Sequence, residues 1–173
     1  DTSRELVEIA AAEAAGTPNL EFRCHDVADE PGRYDFAIMR LLLQHLSDPV
    51  AALQEMRRVT KTGGLVAVRD ADYAGMFWAP ADPRLDHWMD TYRKVAKHND
   101  AEPDAGRFLW RWALDAGFTE VEPSASTWVF ATDEDREYWG GTWEERAVKS
   151  AFAEQAVAYG YATADDLQEW VAG

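Results

Sequence analysis

The sequence predicts an α/β fold in which helices cover both faces of a parallel sheet. Helical and strand-like segments alternate along residues 2–70 with short connections, which is the pattern of a parallel sheet. The segment LVAVRD at 65–70 is apolar enough for a strand that is buried on both faces. The chain has 173 residues, 47% of them hydrophobic. This length fits one domain with a sizeable core.

The first half of the chain supplies the predicted sheet. Residues 2–15 have helical spacing, with Thr2 or Ser3 as the cap. Two strands are predicted at 20–27 (LEFRCHDV) and 34–40 (YDFAIMR). These segments place the start of the sheet before residue 41.

A capped helix connects the second of these strands to the third. Asp48 and Pro49 supply a cap and a first helical residue. The glycine pair 63–64 is predicted to end this helix, just before the strand at 65–70.

The second half of the chain is predicted to be mainly helical. Helices are expected at 83–98, at 105–118, where Gly117 ends the helix, and over most of 133–172. Between them, residues 119–132 suggest an antiparallel strand or hairpin with Pro123 near a bend. All eight tryptophans lie in this half, from Trp78 onward. They indicate either a bulky helical core or an aromatic-lined binding pocket.

Composition limits the partners of the chain. A formal net charge of −15 would repel a phosphate backbone, which argues against nucleic acid as a partner. No apolar run is long enough to span a membrane, and the first residues form an amphipathic helix rather than a secretory signal. Cys24 is the single cysteine, which favours a reducing compartment and therefore the cytoplasm. The expected partner is a small molecule.

Polar residues follow the predicted strands at the point where each one ends. These residues are Asp26, Arg40, Asp70 and Asp72. In parallel sheets covered by helices, ligands bind beyond the carboxyl ends of the strands. The sequence therefore predicts a ligand site that is formed by these strand ends.

Four segments in this order resemble class I S-adenosylmethionine-dependent methyltransferases, and in particular the ubiquinone and menaquinone branch. They are DTSRELVEIA, FRCHDVADEP, YDFAIMRLLLQHLSDPVAALQEMRRVTKTGGLVAVRDADY and LWRWALDAGFTEV. The likeness extends from residue 1 to about 130. It implies a Rossmann-like sheet, S-adenosylmethionine as cofactor and methyl transfer to a small acceptor.

The resemblance also implies which residues bind the cofactor. Asp1 corresponds to the acid that binds the ribose hydroxyls, since one carboxylate can accept from two neighbouring hydroxyls. Asp26 corresponds to the acid near the adenine amino group, with Val27 beside the ring. The implied cofactor-binding set is Asp1, Thr2, Asp26, Val27, Arg40, Leu41 and His45.

The methyl acceptor is expected beyond the third predicted strand. A base is needed only if the acceptor must lose a proton, and the candidates are His45, Asp72 and Tyr73, with His87 as a further histidine. The implied substrate contacts are Asp70, Phe77, Trp78 and Trp88. An alternative is that Asp70 and Asp72 share a strand face and hold a divalent cation. No third ligand is evident, so no metal is predicted.

The sequence departs from the family in one respect. No two glycines are spaced G-x-G, although the family has a glycine-rich turn after its first strand. We expect that turn upstream of residue 1, so the chain is expected to be a partial methyltransferase domain over 1–173. Residues 74–104 and 133–173 are then helical additions at the lid or acceptor side.

Three alternatives follow from this departure. Protomers that exchange strands in a homodimer would rebuild the sheet. A methyltransferase-like domain without activity would serve as an interaction or scaffold domain. A short-chain dehydrogenase is disfavoured, because no tyrosine in the chain has a lysine four residues later.

Overall fold

The computed structural model describes residues 3–172, which form a mixed α/β structure. The predicted cofactor residues Asp1 and Thr2 lie outside this range. The helices and strands, in chain order, are α1 (Arg4–Glu13), β1 (Tyr34–Arg40), α2 (Pro49–Val59), β2 (Thr60–Arg69), α3 (Pro83–His98), α4 (Leu109–Asp115), α5 (Asp133–Lys149), α6 (Ala151–Ala158) and α7 (Ala164–Val171). Within these residues β1 and β2 pair in parallel, as the alternating pattern predicts.

The prediction that the glycine pair ends α2 is wrong, since both glycines lie inside β2. The register moves from Tyr34 opposite Thr60 to Phe36 opposite Leu65, so β2 has extra residues at this point. Gly63 has a φ of +79°, which favours glycine. A side chain on residue 64 would lie 2.8 Å from the Asp35 carbonyl oxygen. The glycines therefore form an irregularity in the strand.

The start of α2 forms as predicted. The Asp48 side chain accepts a hydrogen bond of 2.9 Å from the Ala51 N–H, and Pro49 occupies the first helical turn. Leu53 and Met56 are buried against the sheet, at 1% and 2% exposure. This helix is the main cover of one sheet face.

The second face of the sheet is open, so the prediction of helices on both faces is wrong for the described residues. Met39 and Val68 belong to the core under α2 and α4. Side chains alternate between faces along a strand. Phe36, Ile38 and Leu65 are 50%, 65% and 62% exposed on the other face. The strand at 65–70 is therefore buried on one side only.

The strand predicted at 20–27 is absent. This segment is coil up to a 3₁₀ turn at Val27–Asp29. A strand needs a partner for its backbone N–H and C=O groups, and among residues 3–172 nothing pairs with this segment. Its end is held instead by Arg58, whose guanidinium donates to the carbonyl oxygens of Ala28 and Glu30 at 3.2 and 3.0 Å.

The antiparallel strand or hairpin predicted at 119–132 is also absent, and this segment is coil. The helix predicted at 105–118 begins as a 3₁₀ turn, Ala105–Phe108, before α4. Gly117 follows α4 with a φ of +90°, in agreement with its predicted role as a helix stop.

The second half of the chain forms a helical region made of α3, α5, α6 and α7. Its core contains Trp88, Trp170, Leu167 and Val95, with Trp143 packed against it. This supports the helical-core interpretation of the tryptophans. None of the helices in the described part of the chain combines the length and the apolar character needed to cross a bilayer.

Candidate functional site

The carboxyl ends of β1 and β2 meet at one edge of the sheet, where the ligand site is predicted. Leu41, directly after β1, has a φ of 53°, a left-handed conformation that is uncommon for leucine. Its N–H donates to the Arg69 carbonyl oxygen at 2.8 Å, which continues the pairing of the strands by one residue. The chain therefore leaves β1 through a strained turn.

Asp70 faces the loop that follows β1. Its carboxylate accepts hydrogen bonds of 3.1 Å from the Gln44 N–H and from the N–H of Ala71. Burial raises the pKa of Asp70, while these hydrogen bonds and the nearby His45 act in the opposite direction. Asp70 therefore holds the 3₁₀ turn Leu43–His45 against the end of β2.

Asp72 points to a different neighbour. The Arg107 guanidinium donates to both of its oxygens, at 2.6 and 3.0 Å. This bidentate pair is the kind that orients a carboxylate firmly. The positive charge of Arg107 balances the negative charge of the Asp72 carboxylate and its N–H groups bind both carboxylate oxygens. The predicted role of Asp72 as a base would therefore require this ion pair to open.

A second bidentate pair lies beside the first. Asp104, which is 5% exposed, accepts from Arg93 at 2.6 and 3.2 Å and from the Ala74 N–H at 2.8 Å. Burial acts to raise the pKa of Asp104, but these donors outweigh it and the net pKa is lowered. Asp104 thus connects α3 to the turn that follows β2.

The cation alternative for Asp70 and Asp72 is not supported by this geometry. β2 ends at Arg69, so the two acids do not continue one strand face. One binds backbone N–H groups and the other binds Arg107. Across residues 3–172 no group of three histidine, cysteine, aspartate or glutamate side chains is arranged to hold a metal ion.

Asp26 does not lie at a strand end, so that part of the prediction is wrong. It caps the 3₁₀ turn Val27–Asp29, and its side chain accepts from the Ala28 N–H at 2.9 Å. The carboxylate is exposed, and an ionised carboxylate has acceptor sites beyond this one bond. It remains available to a ligand.

An open cleft of about 470 Å³ lies between β1 and the coil before it. Val27 and Arg40 both line this cleft, so the structure brings together two of the predicted cofactor contacts. Phe36, Ile38 and Leu42 supply much of its apolar surface. Leu41 and His45 are not among the residues that line it.

The candidate bases differ in exposure. His45 is exposed at the end of its 3₁₀ turn. Tyr73 packs in the helical region with its ring 4.6 Å from that of Tyr92, and burial raises the pKa of the Tyr73 hydroxyl. His87 is exposed and packs edge-on against Trp170 at 5.2 Å.

The predicted acceptor contacts occupy three environments. Phe77 is 81% exposed, and Trp78 is partly buried against the helical core. Trp88 is 6% exposed, with its ring 4.8 Å from that of Trp143. Trp88 is therefore part of the helical core in this structure, and its contact with an acceptor stays a prediction.

Sequence reasoning missed two groups at this edge of the sheet. One is the pair of Asp104 and Arg93, whose residues are 11 positions apart. The other is Arg69 with Trp128, 4.9 Å from its guanidinium carbon to the ring centroid. Neither follows a local spacing rule, although Arg69 directly precedes the predicted site residue Asp70 and its position at the strand end was a signal.

Comparison with known proteins agrees with the resemblance seen in the sequence. Residues 1–68 match the model of a methyltransferase domain family. An uncharacterized methyltransferase of Schizosaccharomyces pombe is 34% identical over 137 residues, which cover 76% of this chain and 49% of that protein. A demethylmenaquinone methyltransferase of Beutenbergia cavernae is 31% identical over 96 residues, covering 53% of this chain and 39% of that protein.

A third relative matches nearly all of the chain. It is an uncharacterized 37.1 kDa protein in a transposon of Streptomyces fradiae, 30% identical over 174 residues, which cover 99% of this chain and 48% of that protein. The chain spans about half the length, or less, of these relatives. The resemblance to methyltransferases is thus confirmed, with its family match over residues 1–68.

Proposed function

Because residues 1–68 belong to a methyltransferase domain family, we propose that the chain transfers a methyl group from S-adenosylmethionine to a small apolar or aromatic acceptor. The observation that carries the proposal is the family match across β1, α2 and nearly all of β2. In parallel sheets the carboxyl ends of such strands are where ligands bind. The acceptor, the cofactor and the mechanism are parts of this proposal.

The residues around the cleft suit a nucleoside. Asp26 offers an exposed carboxylate that uses one oxygen on the Ala28 N–H and keeps further acceptor sites for an amino group. Val27 is 37% exposed and gives an apolar contact for a flat ring. Arg40 lines the same cleft. In the proposal, the side chains of Asp26 and Val27 and the backbone of Arg40 and Leu41 hold the cofactor, together with Asp1 and Thr2 as implied by the family.

When bound, S-adenosylmethionine would supply a methyl group bonded to a positively charged sulfur, and the acceptor would displace the sulfur as a neutral thioether, in line with the carbon–sulfur bond. The protein contributes mainly by holding the acceptor in line with that bond, and orientation of this kind is worth up to about 7–11 kcal/mol. The ordered turn at Leu43–His45, fixed by Asp70, is suited to such positioning. The helical segments 74–104 and 133–173 would close over the acceptor.

His45 is the best placed of the candidate bases for an acceptor that must lose a proton. The residue is exposed beside the strand ends, and histidine is the side chain that most often serves as a general base. The Asp72 carboxylate is held in an ion pair with Arg107, so it is not free to accept a proton from an acceptor. Burial raises the pKa of Tyr73, which disfavours the ionised form that would act as the base. On the acceptor side, Phe77 is the predicted contact with most of its ring free, at 81% exposure.

Calorimetry with S-adenosylhomocysteine tests the proposal on the intact protein. We expect saturable binding that Asp26→Ala weakens by about tenfold or more, the scale of a charge-assisted hydrogen bond. Asp29→Ala is the matched control, because Asp29 is exposed on the same 3₁₀ turn and its loss changes the net charge equally. The control is expected to bind within about twofold of the unmodified protein.

Two outcomes would count against the proposal. Absence of binding at millimolar S-adenosylhomocysteine would favour the non-catalytic interaction domain. Equal weakening by Asp26→Ala and Asp29→Ala would remove the assigned role of Asp26, because a general charge effect would then explain both.

A further inference from the structure

Two arginines lie side by side at the ends of the two strands. Arg40 is the last residue of β1 and Arg69 is the last residue of β2, and they are partners in the register of the sheet. Neighbouring strands lie about 4.8 Å apart. Like charges that are directly opposite each other in a sheet are destabilising. Something must therefore compensate for this placement.

Part of the compensation comes from Trp128. The guanidinium carbons of Arg40 and Arg69 lie 5.8 and 4.9 Å from the centroid of its ring, within cation–π range. Arg69 also donates to the Ser126 hydroxyl oxygen at 3.0 Å. The coil before α5 thus braces both guanidinium groups on the open face of the sheet.

The positive charges of this pair are otherwise uncompensated. Several arginines elsewhere in the chain, among them Arg93 and Arg107, form ion pairs with carboxylates. In the described residues others, such as Arg33 and Arg57, do not, but neither of these lies directly opposite a second arginine in the sheet. Within residues 3–172, neither Arg40 nor Arg69 has a carboxylate within ion-pair distance. In a chain with 32 acidic and 17 basic residues, this adjacent pair is a local concentration of positive charge. Two fixed cations without acids in such a chain indicate a site for an external anion.

The surroundings indicate what carries the anion. Phe36 and Ile38 precede Arg40 on the same strand face and are 50% and 65% exposed. Arg40, Phe36 and Ile38 also line the open cleft beside β1. We propose that Arg40 and Arg69 bind one oxyanion, a carboxylate or phosphate group, of a methyl acceptor whose apolar body lies on this face. The identity of the ligand as the acceptor rests on the proposed function.

Binding of simple anions to the intact protein tests the arginine pair without cofactor. Benzoate and inorganic phosphate are titrated in separate calorimetric experiments, and whichever binds identifies the oxyanion. We expect Arg40→Gln and Arg69→Gln each to weaken the binding about tenfold or more, since each removes a charged fork. Arg111→Gln is the control, because Arg111 is exposed, lies on α4 and changes the net charge equally.

A second variant separates binding from misfolding. Trp128→Leu keeps both cations and removes their brace, so a smaller loss is expected than for either arginine, with far-UV circular dichroism unchanged. Equal binding by Arg69→Gln and Arg111→Gln, or no saturable binding of either anion, would overturn the site. These results do not depend on S-adenosylhomocysteine, so they are separable from failure of the proposed function.

The cofactor also has a carboxylate, and competition distinguishes it from an acceptor. Benzoate or phosphate is titrated again into protein saturated with S-adenosylhomocysteine. Unchanged affinity supports an acceptor site. Loss of anion binding would assign the arginine pair to the carboxylate of the cofactor and overturn its assignment to the acceptor.

Discussion

The sheet region and the helical region of this chain bury their apolar residues to different extents. In the helical region, Trp88, Val95 and Leu167 are 4–6% exposed in one continuous core rich in aromatic side chains. In the sheet region, the face under α2 is packed, yet Ile38 and Leu65 remain more than 60% exposed on the other face. The helical region thus encloses its apolar core, whereas the sheet formed by β1 and β2 buries apolar side chains on one face only.

The difference follows from how the two kinds of element satisfy their backbones. A helix forms its hydrogen bonds internally, so α3 and α5–α7 need each other only for side-chain packing. A strand depends on its neighbours, and in the described residues β1 and β2 have only each other. The stability of a sheet therefore depends more on its surroundings than the stability of a helical bundle does.

The largest expected effect tests the closed core. Trp88→Ala should lower the free energy of unfolding by about 3–5 kcal/mol, because the buried ring contacts Trp143 and Tyr92 and leaves a cavity. Denaturant unfolding followed by circular dichroism measures the change. Phe77→Ala is the control on the same region and should cost less than about 0.5 kcal/mol at 81% exposure. Similar losses for both variants would contradict the packed core.

The next effect compares the two faces of β1. Met39→Ala, on the packed face at 9% exposure, should cost about 2–3 kcal/mol of unfolding free energy. Ile38→Ala, its neighbour on the open face, should cost less than about 1 kcal/mol in the same denaturant experiment. If Ile38→Ala proves as costly as Met39→Ala in the intact protein, the open face is covered there and the comparison between the regions changes.

The smallest effect concerns the ion pair that joins the two regions. Asp104→Asn should cost about 1–3 kcal/mol at pH 7, since the buried carboxylate binds Arg93 and the Ala74 N–H. The pKa of Asp104 is lowered on folding, so its contribution is present above the pKa of the unfolded chain, near 4. The contribution is lost as the pH falls through the lower folded-state value.

Unfolding free energies of both forms between pH 7 and pH 2 measure this dependence. The difference in unfolding free energy between the unmodified protein and the Asp104→Asn variant should become smaller below about pH 4. Asp72→Asn is the control, because its pair with Arg107 is more exposed and should cost less than about 1 kcal/mol at pH 7. A difference for Asp104→Asn that does not change with pH would show that the ion pair contributes nothing to stability.

The sequence predicted those elements that depend on local rules. The cap at Asp48, the stop at Gly117 and the length of α3 follow from spacing and capping. The strand at 20–27 and the hairpin at 119–132 were wrong, because strand formation depends on partners distant in the chain. The glycine pair was misassigned because glycine is favoured both at the end of a helix and at an irregularity within a strand.

Prediction of the candidate site also succeeded where local rules apply and failed where contacts join distant segments. Residues at strand ends, such as Arg40 and Asp70, were identified because the topology fixes where a strand ends. Contacts between distant segments were not, and Arg69 with Trp128 is the clearest example, since the two residues are 59 positions apart. The ion pair of Asp72 with Arg107, 35 positions away, equally had no signal in the sequence.

Three indole N–H groups, those of Trp88, Trp143 and Trp170, are buried with no acceptor in the described part of the chain. Each has given up water without replacement, at about 1–3 kcal/mol. The interior formed by these rings is thus held by packing and by ring contacts such as that of Arg146 over Trp143, with no hydrogen bond from these indoles within the described residues. Such an interior tolerates exchange of one aromatic side chain for another. The strand ends, where Asp70, Asp104 and Arg107 impose direction, leave far less freedom for change.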